Sequence, residues 1–111
     1  MKYTDKQRIS KIYDYATKLK EYINENNVTK DELINDIHIQ WLVTTPLYNI
    51  GELTYNLSDE FKAEHGAIEW NMIAGLRHRL VHDYDGTNWN IIADIVYEEI
   101  PDLITKLEEL L

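Results

Sequence analysis

Apolar residues recur along almost the whole chain at steps of three and four, the spacing of helical faces, and never in a sustained alternation of two. Ile9, Ile12, Ala16, Leu19 and Ile23 form the first stripe, with Thr4 ahead of it as a cap, so a helix is predicted over about residues 5 to 25. Glu25-Asn26-Asn27 offers turn residues. Thr29, followed three positions later by Glu32, has the form of a capping box, in which two side chains satisfy N–H groups that the first helical turn leaves open. A second helix is therefore predicted from near Lys30. Its stripe of Leu33, Ile37, Trp41, Leu47, Ile50, Leu53 and Leu57 runs past Pro46, which removes a backbone donor and crowds the preceding turn. A long, kinked helix ending near Ser58 is expected.

Asp59 to Gly66 mixes charges with a glycine and reads as a loop or short turn. Trp70, Ile73, Ala74, Leu76, Leu80 and Val81 then resume helical spacing. Asp83-Tyr84-Asp85-Gly86-Thr87-Asn88 is a turn cluster, and Thr87 or Asn88 can cap a helix holding Ile91, Ile92, Ile95 and Val96. Pro101 is expected to divide that helix from a last one, whose stripe is Ile100, Leu103, Leu107, Leu110 and Leu111. The fold predicted is all-α, an up-and-down helical bundle forming a single domain over residues 1–111.

Composition narrows the chemistry. With no cysteine, disulfides and thiolate metal sites are excluded, and the chain reads as cytoplasmic. No apolar run suits a signal peptide or a membrane span, so a soluble protein is expected. A net charge of -9 opposes a protein that coats nucleic acid, because affinity for phosphates comes mostly from Lys and Arg. The segment Trp70 to His82 is the exception, for it contains Arg77, His78, Arg79 and His82 and no acid.

Clustered glycines that would cradle a phosphate and a Ser or Cys nucleophile with its base are both missing, which disfavours those classes. Arg77-His78-Arg79-Leu80-Val81-His82-Asp83-Tyr84 instead combines two fixed cations, two groups that titrate near neutral pH and a phenol. Metal-free cleavage of RNA needs one group to take the 2′-OH proton, one to protonate the leaving oxygen and a cation for the phosphorane charge. Arg77 and His82 match those tasks, while His78 and Arg79 read as auxiliary contacts to RNA phosphate. His78 and His82 lie four apart, a spacing able to share a metal, but no third ligand accompanies them, so neither a metal nor a cofactor is expected. Trp41, Trp70 and Trp89 read as core or interface packing rather than base-stacking platforms.

At about 100° per residue, Arg77 and His82 point about 140° apart and cannot share one straight helical face. Either the helix bends near His82 or a second subunit supplies the complementary group, and a two-fold dimer gathers two copies of each group in one cleft.

Arg77-x4-His82-x-Tyr84 resembles the R-x4-H-x-Y motif of the HepT (DUF86) toxins of the HEPN superfamily. Ile68-Glu69-Trp70, Gly75-Leu76-Arg77, His82-Asp83-Tyr84-Asp85-Gly86 and Ile50-Gly51-Glu52 are similar to that family's surrounding stretches, so the resemblance covers essentially the whole chain. It implies a homodimeric, metal-independent endoribonuclease acting on RNA, with transfer RNA among the candidate substrates. It also implies a type VII-like toxin–antitoxin pair, in which a minimal (MNT-type) nucleotidyltransferase antitoxin places AMP on the motif tyrosine, here Tyr84. His78 stands where the family usually has Asn. The alternative is a non-catalytic HEPN dimer that binds nucleotides or regulates a nucleotidyltransferase partner.

Overall fold

A computed structural model describes residues 2–82 and 86–111, and of Val81 and His82 the backbone alone. The described residues are helical throughout their regular elements: α1 (Asp5–Glu25), α2 (Lys30–Asn35), α3 (Ile37–Tyr55), α4 (Asp59–Glu64), α5 (Trp70–His82), α6 (Trp89–Asp94), a π-helical turn (Ile95–Glu99) and α7 (Ile100–Glu108).

Helix α1 forms as its stripe dictates. Thr4 caps it through a complete capping box with Gln7, and Ile9, Ile12, Ala16, Leu19 and Ile23 are all buried. The predicted box at Thr29 and Glu32 is also present and starts α2.

The expected long second helix is bent sharply enough to be divided, at Asp36 rather than at Pro46. Asp36 adopts an extended conformation (φ -103°, ψ 114°), and its carboxylate accepts from the His38 N–H, so it caps α3 as the chain leaves α2. That hydrogen bond and the neighbouring His38 imidazole hold the Asp36 carboxyl below its ordinary pKa. Pro46 is accommodated inside α3, where it costs a single ladder bond.

Two further expectations are corrected. Residues 59–64, read as a loop, form α4 because Ser58 caps them by accepting from the Phe61 N–H at 3.1 Å. Pro101 does not separate two helices by a break. Helical structure runs from Trp89 to Glu108 and widens to a π turn just before the proline, with the Ile100 N–H reaching Ile95 O. The wider turn makes room where the ring would crowd the carbonyl four residues earlier.

Helix α3 lies between α1 and α5, and α7 covers the other flank of α1. Leu33, Val43, Leu47, Ile50, Leu76, Ile92, Ile100 and Leu107 meet in the core. Polar ties help to hold the C-terminal helices: the Tyr97 hydroxyl donates to Val28 O at 2.6 Å, Lys106 Nζ donates to Ala67 O at 3.2 Å, and the Tyr13 hydroxyl donates to Glu108 Oε2 at 2.7 Å. Burial raises the Tyr97 phenol above its ordinary pKa. Trp70 is buried and Trp89 half-buried, as packing residues should be. Trp41 is 64% exposed and so lies outside the core of this chain.

Candidate active site

Helix α5 turns Ile73, Leu76 and Leu80 into the core, which sets the direction of every charged residue between them. Arg77 lands at the crossing with α3. Gly51 of α3 faces its backbone so closely that an added β-carbon would lie 2.7 Å from the Arg77 nitrogen and 3.3 Å from Ile73 O. Absence of a side chain at Gly51 is what lets the two helices touch here.

From that contact the Arg77 side chain runs along α3. Its guanidinium carbon lies 4.0 Å from the centroid of the Tyr55 ring, a cation–π arrangement, and its Nε lies 3.6 Å from Glu52 Oε1. The other Glu52 oxygen accepts from Asn56 Nδ2 at 3.4 Å. Arg77 is 32% exposed, so it is held in place while part of its donor set still faces outward. Glu52 and Tyr55 went unrecognised as partners of the arginine. The available signal was the glycine: a Gly inside an apolar helical stripe marks a close crossing, and the polar residues one and four positions on border it.

The remaining site candidates do not gather on this face. His78 is exposed on the next angular step of α5. Arg79 is turned about 200° from Arg77 and lines a separate groove with Gly75, Asp94, Ile95 and Glu99. The structure therefore does not place the two arginines side by side. His82 closes α5, its side chain lying outside the described residues, as does Tyr84. On the far side of that segment, the Thr87 hydroxyl donates to Arg79 O at 3.3 Å, and Asn88 caps α6. Among the described residues no group of three or more His, Asp or Glu side chains could hold a metal ion, and no helix is long and apolar enough to cross a membrane.

The chain is thus an all-α bundle with an arginine tethered on a helix that contains no acid. Residues 12–110 match the model of the family described as ribonuclease HepT-like, and the chain belongs to that family. A protein of Methanocaldococcus jannaschii, named as a candidate RNase, is 36% identical over 101 residues, which is 90% of this chain and 84% of the relative. Another named in the same way, from Caldanaerobacter subterraneus subsp. tengcongensis, is 33% identical over 84 residues, 76% of this chain and 75% of its own. A Thermococcus cleftensis protein named "Probable ribonuclease HepT" is 30% identical over 110 residues, covering 99% of this chain and 98% of the relative. No solved structure matches the chain.

Proposed function

We propose that this chain is a metal-independent endoribonuclease working as a two-fold dimer, the toxin of a pair whose antitoxin is a minimal nucleotidyltransferase. The observation that carries the reading is Arg77, stacked on Tyr55, tethered by Glu52 and partly exposed, five positions ahead of His82 on a helix without acids. Relatives named as ribonucleases, aligned over most of both chains, support it.

In this reading one His82 takes the proton from the 2′-OH, the 2′ oxygen attacks phosphorus, and the 5′ oxygen leaves with a proton from the second His82. Arg77 holds the negative charge of the phosphorane, the role in which a fixed, partly desolvated cation is most effective. The dimer supplies the second histidine. Ile37 and Trp41, both exposed, line a groove with Leu80, Thr87 and Trp89, which gives a second copy an apolar surface beside the C-terminal end of α5. Tyr84 is the residue proposed to receive AMP from the antitoxin.

His78, where the family usually has Asn, favours keeping one second reading: a non-catalytic dimer that binds nucleotides or regulates the nucleotidyltransferase. RNA incubated with the protein in EDTA separates the two, with transfer RNA as the first substrate to try. Expected are cleavage products ending in 2′,3′-cyclic phosphate, lost in His82→Ala and in Arg77→Ala, from a protein that sediments as a dimer. Intact RNA with a dimer that binds nucleotide would favour the second reading, and cleavage only with added Mg²⁺ or Mn²⁺ would overturn metal independence.

A further inference from the structure

The end of the bundle that holds Tyr55 collects cations from α1, α4 and α5 and from the chain leading into α1. A groove of about 500 Å³ is lined there by Lys2, Tyr3, Arg8, Glu52, Leu53 and Asn56. Lys11 lies 4.7 Å from the centroid of the Tyr3 ring, and Lys62 Nζ donates to Tyr55 O at 3.5 Å. With Arg77, these make five cations around one end of a chain whose net charge is -9.

Arg8 is the informative member. Its side chain is only 15% exposed, so its stem is buried, yet its guanidinium donates no hydrogen bond among the described residues and reaches Asp5 only at 4.0 Å. A planar group with five donors is thus held at the groove without a close partner. Both acids of the neighbourhood are already engaged. Asp5 accepts from the Ser58 N–H at 2.9 Å and from the Ser58 hydroxyl at 2.6 Å, while Glu52 faces Arg77 and Asn56. Neither Asp59 nor Glu60 of α4 lines the groove. The chemistry left open is therefore that of an anion receptor, with fixed positive charge and a fork suited to two oxygens of one phosphate.

We infer that this groove binds the phosphodiester backbone of the RNA strand flanking the scissile bond, with Arg8 and Lys2 as its phosphate contacts. The inference rests on the proposed activity. Glu52 belongs both to the groove wall and to the tether of Arg77, so a strand whose scissile phosphate sits at Arg77 passes directly into the groove.

The test uses single-stranded 2′-O-methyl RNA, which lacks the attacking hydroxyl and stays uncut, and measures binding over a range of salt concentrations. Arg8→Gln combined with Lys2→Gln is expected to weaken binding by about tenfold or more, and to flatten the log–log salt dependence by about 0.7 per lost phosphate contact. Arg8→Lys, which keeps the charge but not the fork, should regain the salt slope and only part of the affinity. On cleavable RNA the double variant should raise KM and leave kcat. Melting temperatures identify any variant that fails to fold, and Arg8→Lys with Lys2→Gln then carry the comparison. A folded double variant with unchanged affinity and slope, in a protein that cleaves RNA, overturns the groove and leaves the activity standing. A wild-type chain that neither binds nor cuts RNA overturns both. Loss of inorganic phosphate binding with RNA binding unchanged would make this a free-anion site and overturn the strand assignment.

Discussion

The backbone of Arg77 rests directly on Gly51, because a β-carbon at position 51 would stand 2.7 Å from the Arg77 nitrogen. The obstacle is backbone, not the flexible end of a side chain, so any larger residue at 51 must part α3 from α5. Gly51→Ala is expected to destabilise the protein by about 1–3 kcal/mol despite the better helix propensity of alanine. It should also lower RNA cleavage, since the guanidinium moves with its helix. Urea denaturation beside a cleavage assay checks both, and an alanine variant as stable as the parent would show that the helices can slide apart freely.

Tyr55 stacks on the Arg77 guanidinium through its ring, not its hydroxyl. Tyr55→Phe should therefore cleave RNA as the parent does, whereas Tyr55→Leu should lose several-fold in kcat. A cation–π contact at an exposed site contributes only about 0.5–1 kcal/mol. Equal loss in Phe and Leu variants would assign the effect to the hydroxyl and contradict the stacking argument.

Asp5 links the start of α1 to the cap of α4. The hydrogen bond from the Ser58 hydroxyl, and then that from the Ser58 N–H, hold its carboxyl below the ordinary value of 3.8. A carboxyl lowered in the folded state adds stability that is present above the unfolded pKa and is lost as pH falls through the folded one. Stability should thus be level near neutral pH and decline below about pH 4, and Asp5→Asn should be less stable at neutral pH by about 1 kcal/mol while losing less on acidification. Equal acid sensitivity in the two proteins would remove Asp5 from the account.

Tyr84 is tested by modification. With the nucleotidyltransferase and ATP present, the parent should gain mass at Tyr84 and stop cleaving RNA, while Tyr84→Phe should keep cleaving. The negative charge that each AMP adds is expected to compete with RNA for Arg77 and not for Arg79, which faces the α6 side of the bundle. If the Phe variant is silenced and the added mass maps to another residue, the role given to Tyr84 is wrong.

Which parts of this molecule could be read from its sequence follows from how local their causes are. Helix α1 was legible end to end because its cap and its apolar stripe lie within the element itself. The sequence points to a bend at Pro46, but an internal proline forfeits one bond, whereas Asp36 supplies a side-chain acceptor that makes a new start favourable. Helix α4 is short and polar enough to pass for a loop, and its order comes from Ser58, which α1 holds through Asp5. At the candidate site the cations were legible and their company was not. The position of Arg77 depends on Gly51, Glu52 and Tyr55 of another helix, and the burial of Arg8 is a property of packing that no local pattern displays.

Five cations gathered at one end of an acidic chain make the molecule's response to ionic strength two-sided. At distance an RNA strand meets the field of -9 and is repelled, and added salt relieves that repulsion first because it acts across many ångströms of water. At contact it meets Lys2, Arg8 and Arg77, whose hold on phosphate weakens as counterions compete. Capture should therefore speed up and then slow down as salt is raised, with its maximum at an intermediate concentration.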